Sequence, residues 1–345
     1  MKPKVTSFDI AFKAGVSQAT VSRALRGSPL VSLETRQRVQ AVAKELNYKV
    51  DKNASSLRRQ RASTLALLLF EDPTSDDSLI NPFFLSMLAS ITRASARHGH
   101  DLLVSFQQMS DDWHAEYQDS HRADGVILLG YGDYLAYRTK LERLVEEGTH
   151  FVRWGSEVED QHGVSIGCDN RQGGRIAADH LLSLGRRRIA YLGTATLQCP
   201  EFLDRYRGYA DALADAGLAP DDALRVDASD STEEVGHSAM RALLARGAQF
   251  DAVFAASDLL AIGAMRALAE AGRQVPADVS VVGFDDIPMA SFANPALTTV
   301  MQDTRLAGER LVASVIRQIR DEPVGSEMLP TQLVIRRSCG ASPKP

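Results

Sequence analysis

At 345 residues and 44% hydrophobic content the chain has enough material for two or more domains, and no apolar run approaches the roughly 18 residues that a membrane span needs. Its three cysteines, Cys168, Cys199 and Cys339, are odd in number and far apart, which excludes a disulfide framework and a paired zinc signature. The net charge of -5 hides an asymmetry: residues 1–61 carry 13 Lys and Arg against 4 Asp and Glu, whereas the remainder carries 26 against 40, so a basic head sits on an acidic body, as in a chain that meets a polyanion through its N-terminal unit alone.

Thr6-Ser7-Phe8-Asp9 reads as a capping box with Asp in place of Glu, and Phe8, Ile10, Ala11 and Ala14 supply the apolar stripe of a first short helix. Gly15 marks a turn, and Ser17 caps a second helix running to about Arg26. At 3.6 residues per turn, Val21, Ala24 and Leu25 share one face and Gln18, Ala19, Ser22 and Arg23 roughly the other. Gly27-Ser28-Pro29 stops this helix, and Ser32 opens a third whose stripe Val39, Val42, Ala43 and Leu46 closes a small core. Two helices joined by a tight glycine turn near a terminus form a helix-turn-helix, whose second helix enters the DNA major groove. Residues 49–63, KVDKNASSLRRQRAS, are a basic linker with Leu57 as its only large apolar side chain; Asn53 to Leu57 has the length of one or two helical turns, to be ordered by a partner.

From Thr64 continuous apolar runs alternate with amphipathic helices. The runs are Leu65 to Phe70, Leu102 to Phe106, Gly125 to Leu129, Phe151 to Trp154, Val164 to Gly167, Ile189 to Gly193, Asp251 to Ala255 and Val279 to Phe284. The helices include Phe83 to His98, Arg171 to Leu184, Arg207 to Ala216 and Leu259 to Ala271. Such alternation predicts parallel sheets covered on both faces, and the number of strands predicts two doubly wound lobes. Ligands of open α/β sheets lie beyond the carboxyl ends of the strands, which selects Trp154, Asp169-Asn170, Arg205 before the helix from Arg207, Ser257-Asp258 and Asp285-Asp286. An aromatic, an arginine and several carboxylate or amide groups suit a polyhydroxylated small molecule, although Asp169, Ser257 and Asp258 are also good helix caps. Phosphate-loop, dinucleotide, nucleophile-elbow and zinc-protease motifs are absent, and the eight histidines form no ligand-spaced set, so neither an enzyme nor a metal or cofactor is expected.

The run AGVSQATVSRAL from Ala14 to Leu25 resembles the DNA-binding headpiece of the lactose repressor family (LacI/GalR), and the likeness continues through VSIGCDNRQGG, DRYRGY, ASDLLAIGAMRAL, DVSVVGFDDIP and LTTVMQDTRLAGE. It implies an all-α headpiece at 1–48, a hinge linker at 49–63 and a periplasmic-binding-protein-like core at 64–340, with an N-lobe of about 64–163 and 295–323 and a C-lobe of about 164–294 and 324–340. It also implies a cytoplasmic homodimer on a palindromic double-stranded operator, with no tetramer-forming heptad tail after CGASPKP. Carried over by position, Gln18 and Ala19 are the variable base readers and Arg23 reads a base edge. Ser17, Thr20 and Ser22 contact phosphates. Thr6, Arg26, Asn53 and Ala54 complete the DNA-facing set, and Leu57 is the minor-groove wedge. Arg205, Asp285, Ser257 and Asp258 are the effector-binding positions, with Trp154 and Phe83 or Phe84 stacking on the ligand. Two departures stand out: Val50-Asp51 replaces the usual Pro-Asn, and the loop EDPTSDDSLINPFF is long, with acidic residues in 71–78. The resemblance implies a repressor released by a sugar or glucoside; the alternatives are a nucleobase corepressor on the same fold and a sugar-binding protein without a DNA role.

Overall fold

The computed structural model describes residues 5–25, 27–48, 62–70, 80–107, 111–130, 133–228 and 230–341. The sequence positions Arg26, Asn53, Ala54 and Leu57 and the acidic loop 71–78 lie outside them. The chain divides into two compact units between residues 60 and 61.

The first unit holds α1 (Ser7–Ala14), α2 (Gln18–Leu25) and α3 (Leu33–Glu45). At the start of α1 the Asp9 carboxylate accepts from both the Thr6 N–H and hydroxyl at 2.7 Å, which holds Asp9 below its usual carboxylate range. The chain leaves α1 through Gly15 at φ 65, a left-handed turn that glycine adopts without a Cβ clash. Ser32 caps α3 by accepting from the Thr35 N–H. Ile10, Ala11, Ala14, Val21, Ala24, Val31, Val39 and Ala43 make the core. Phe8, expected within it, is 64% exposed instead: the buried face of this eight-residue helix is set by Ile10, Ala11 and Ala14, and Phe8 projects beside it, as does Phe12 at 92%.

The second unit contains two six-stranded sheets. The N-lobe sheet has the order β11-β5-β4-β3-β1-β2 and is wholly parallel: β1 (Thr64–Leu69), β2 (Asp101–Phe106), β3 (Gly125–Leu129), β4 (Phe151–Trp154), β5 (Val164–Cys168) and β11 (Glu327–Leu329). The C-lobe sheet has the order β12-β10-β9-β8-β6-β7, with β6 (Ile189–Leu192), β7 (Arg225–Val226), β8 (Ala252–Ala255), β9 (Ser280–Asp285) and β10 (Thr298–Gln302) parallel and β12 (Thr331–Val334) antiparallel at the edge. Period-two alternation in β1 sends Leu65, Leu67 and Leu69 into one core and Ala66 and Leu68 into the other, so both faces are dry and the run reads as continuously apolar. Among the described residues no helix is long and apolar enough to cross a membrane.

The chain passes between the lobes three times, and the crossings correct the expected boundaries. Strand β5, assigned to the C-lobe from sequence, pairs with β4 and belongs to the N-lobe. Strand β10, in a segment assigned to the N-lobe, pairs with β9 and belongs to the C-lobe. Each crossing comes only after a strand has completed its pairing. The lobes therefore exchange at Asp169, Asp303 and Pro330, rather than after residues 163, 294 and 323.

Candidate nucleic-acid interface and interlobe cleft

Helix α2 is fixed by its start. Ser17 accepts from the Thr20 N–H at 3.2 Å, and the Ser17 and Thr20 hydroxyls meet at 2.9 Å. Gln18 donates through Nε2 to Ser7 Oγ at 2.9 Å, which ties the front of α2 to α1 and leaves Oε1 as an acceptor. Ala19 and Arg23 are exposed and Ser22 is half-buried, while Val21 and Ala24 are fully buried beneath them. The two faces expected from the helical period are therefore both present. Behind the helix, Arg36 reaches the Ser28 carbonyl at 2.9 Å and Lys13 pairs with Glu45 at 2.5 Å, so α2 is presented on a braced scaffold.

In the second unit the candidate site is built around Arg205. Sequence reading placed it before a helix starting near Arg207. The helix, α7 (Pro200–Asp215), instead begins at Pro200, and Arg205 is in its second turn with no exposure. Its backbone is pressed against α6 (Asn170–Ser183): a Cβ on Gly174 would stand 2.0 Å from the Arg205 carbonyl, so only glycine permits this approach. The guanidinium lies 3.8 Å over the Phe284 ring, donates to Asn170 Oδ1 at 2.8 Å and to the Ala256 carbonyl, and stands 3.5 Å from Asp285 Oδ1.

Asp285 ends β9 at φ 112 and Asp286 follows at φ 56, two successive non-glycine residues in left-handed backbone. The turn is held by protein contacts: Gln302 Nε2 donates to Asp285 Oδ1 at 2.6 Å, Arg336 donates to Asp286 Oδ1 at 2.6 Å, and the Ile287 N–H donates to Asp258 Oδ2 at 2.8 Å. Burial pushes the Asp285 carboxyl up to about 6, against the opposing pull of Arg205 and Gln302. Asp258 is raised well above its ordinary value by burial and by the neighbouring Asp285. A cavity of about 290 Å³ opens here, lined from the N-lobe by Phe83 and Ser86 and from the C-lobe by Asp285, Gln302 and Arg336, with the exposed Arg305 at the crossing.

The sequence candidates thus separate. Phe83 and Asp285 line the cavity, and Arg205 supports it from behind. Trp154 is 4% exposed and its ring sits 6.1 Å from Phe83 inside the N-lobe core, so it is a packing residue rather than a free stacking face. Phe84, 5% exposed, belongs to the same cluster. Ser257 caps α9 (Asp258–Glu270) and accepts from the Ser231 hydroxyl at 2.6 Å. Asp258 has both oxygens engaged, on Ile287 N and Thr299 Oγ1, and shapes the Asp286-Ile287 turn without lining the cavity. Sequence reading missed Gln302 and Arg336. The first closes β10, a strand not recognised, and the second follows the antiparallel edge strand β12. It also missed the contact joining the lobes across Ser156, whose N–H donates to Glu201 Oε1 at 3.0 Å and whose hydroxyl accepts from Asn170 Nδ2 at 3.0 Å.

Carboxylate, amide and guanidinium groups on the C-lobe side of the cavity, facing Phe83 and Ser86 of the N-lobe, match the needs of hydroxyl groups, which both donate and accept. No cluster of metal-ligating side chains occurs among the described residues. A hydroxyl donates more strongly to the ionised Asp285 carboxylate than to its neutral form. Binding of such a ligand is expected to weaken as pH falls through about 6, and the Asp285→Asn variant, which has nothing to titrate, is expected to bind weakly with a flat profile. Titration calorimetry between pH 5 and 8 checks this; a variant that keeps the wild-type pH profile would assign the titration to another group. The linkage to folding has the opposite sense. The folded value lies above the unfolded one, so the stabilisation from protonating Asp285 is complete below about 4 and is lost as pH rises through 6.

Comparisons with known proteins agree with both halves. Residues 8–51 match the family model described as bacterial regulatory proteins, lacI family, and residues 178–339 match the periplasmic binding protein-like domain. The HTH-type transcriptional regulator CelR of Thermobifida fusca is 34% identical over 341 residues, 95% of this chain and 96% of the relative. A solved transcriptional regulator CelR–cellobiose complex superposes with a TM-score of 0.71 at 33% identity, covering 97% of this chain and 100% of the other. The lac repressor dimer bound to operator and the anti-inducer ONPF superposes with a TM-score of 0.82 at 29% identity, covering 98% and 100%.

Proposed function

Because this chain belongs to the lacI family of bacterial regulatory proteins and is a DNA-binding transcriptional regulator, we propose that it is a repressor, that it grips a palindromic operator as a homodimer, and that a sugar bound between its lobes releases it. The observation that carries the sugar reading is the cavity at Asp285 and Gln302, backed by the buried Arg205 and shared by both lobes, in a chain whose relative CelR was solved with cellobiose. In this reading residues 1–48 form the headpiece, 49–63 the linker and the residues from 64 the effector-binding core. Gln18, Ala19 and Arg23 face base edges, while Thr6, Ser17, Thr20 and Ser22 lie along the backbone. Arg26, Asn53, Ala54 and Leu57 extend that contact.

An effector shifts the DNA equilibrium only by its differential affinity for two arrangements of the lobes. A ligand held by Asp285 and Gln302 on one side and by the Phe83 and Ser86 wall on the other would have that differential, since it gains contacts from both lobes where they line one cavity and would lose part of them if the lobes moved apart. A β-glucoside such as cellobiose is the favoured class. Full-length protein is mixed with a duplex that it has itself enriched from a randomised library, and the complex is titrated with cellobiose, glucose, galactose and adenine, with fluorescence anisotropy as readout. Cellobiose is expected to release the duplex. Tightening by adenine with no response to the sugars would replace the inducer reading with a nucleobase corepressor.

A further inference from the structure

The segment that carries the DNA-binding unit enters the core through Ala62 and Ser63, immediately before β1, and both residues are captured by one side chain. Asp124 Oδ1 accepts from the Ala62 N–H and Oδ2 from the Ser63 N–H, each at 2.6 Å. Ser63 itself is left-handed, at φ 52 without being glycine. Successive backbone N–H groups turned by a left-handed residue form a concavity that holds an anion, and here the resident anion is the Asp124 carboxylate. The carbonyls are fixed as well. The Asp101 N–H donates to the Ser63 carbonyl at 2.9 Å, and the Asp124 N–H donates to the Thr64 carbonyl at 2.8 Å. Asp124 is in turn braced by His150, whose Nδ1 lies 3.1 Å from the Asp124 carbonyl and whose N–H donates to Gln118 Oε1 at 3.0 Å.

Strand pairing alone does not account for this arrangement. The register of β1 with β2 and β3 begins at Thr64 and Leu65, so the Ala62 and Ser63 N–H groups lie outside the ladder, on a half-exposed or exposed stretch with no large apolar side chain to bury. A left-handed serine at such a place is unfavourable by itself and persists because the surrounding contacts impose it. The contacts come from Asp101 at the start of β2 and Asp124 before β3, with His150 before β4 behind Asp124, so Ala62 and Ser63 are tied to the body of the N-lobe sheet rather than to one neighbour.

We propose that Asp124 is a positioning residue for DNA binding: by holding Ser63 left-handed it sets the direction in which the linker leaves the core, and it transmits the placement of the N-lobe to the DNA-binding unit. The inference rests on the chain's being a DNA-binding regulator and adds the point at which core and linker are mechanically joined. It touches neither the cavity at Asp285 nor the bases.

Three full-length variants test it. Asp124→Asn keeps the size but offers one acceptor and sets an NH2 group against the second N–H. Ser63→Val, at an exposed position, disfavours left-handed backbone through its branched Cβ, whereas Ser63→Gly favours it. On the duplex enriched by the wild-type protein, Asp124→Asn and Ser63→Val are expected to lose at least tenfold in affinity and Ser63→Gly to match or exceed the wild type, with calorimetric melting of the core unchanged in both Ser63 variants. Hydrogen exchange without DNA is expected to be slow at the Ala62 and Ser63 amides in the wild type and Ser63→Gly and fast in Asp124→Asn. This arm reads the anchor even if no duplex is enriched, an outcome that would count against DNA binding itself. Affinities within twofold of wild type for Asp124→Asn and Ser63→Val, or a loss in Ser63→Gly as large as in Ser63→Val, would overturn the proposal.

Discussion

Arg205→Ala is expected to abolish the release of DNA by effector and to lower the unfolding free energy of the core by about 3–5 kcal/mol, the range for removing one partner of a buried ion pair. The guanidinium has no exposure and is held by Asn170, the Ala256 carbonyl, Asp285 and the Phe284 ring. Truncation leaves a void among these groups and a buried carboxylate without its cation. Asp285, already raised to about 6 with Arg205 in place, then loses the cation that opposes the rise, so its carboxyl is driven further towards the neutral form and accepts more weakly from a ligand hydroxyl. The Arg205→Ala, Asp285→Asn double variant separates the two losses: with no ion left buried, part of the stability is expected to return while the effector response does not. Urea unfolding and sugar titration of the DNA complex, both below the melting range, give the two quantities. An Arg205→Ala protein that still releases DNA with cellobiose would place the ligand elsewhere.

The parts of this molecule that were legible in the sequence are those in which one local signal had one meaning. LALLL and GVILL are apolar at every position because both sheet faces are covered, and Ser17 and Ser32 announce their helices by capping them. Legibility failed where the deciding interaction was remote. Strands β7, β11 and β12 are two to four residues long at or near sheet edges, too short for a period. Strand β10 and residue Gln302 are legible only once Val282 to Asp285 of β9 are known to lie alongside. Trp154 occupies a strand end, where an aromatic reads as a ligand wall, yet the pleat turns it into the core with Val152. Arg205 was displaced because DRYR looks like an approach to a helix, whereas Pro200 at the first helical turn was the true start signal. Ser257 and Asp258 show the limit of reading strand ends as ligand sites: a capping serine and an aspartate bound to a neighbouring turn look the same in sequence as ligand contacts.

Arg23→Ala is expected to cost about 1–3 kcal/mol on the duplex that the wild-type protein prefers, which is a loss of about 5- to 150-fold, and almost nothing on the same duplex altered at one base pair in each half-site. Arg23 is exposed on α2, one turn beyond Ala19, and no hydrogen bond or ion pair among the described residues claims its guanidinium. That fork is thus free to bind guanine O6 and N7 together, which a point charge does not reproduce. Arg23→Lys is accordingly expected to retain affinity for nonspecific DNA and to lose most of the discrimination. Anisotropy titrations over a series of salt concentrations distinguish the roles, because a base contact leaves the salt slope almost unchanged and a phosphate contact lowers it by about one. Equal losses on every duplex together with a reduced slope would move Arg23 to the backbone and leave Gln18, whose Oε1 remains available while its amide nitrogen is tied to Ser7, as the polar base reader of this helix.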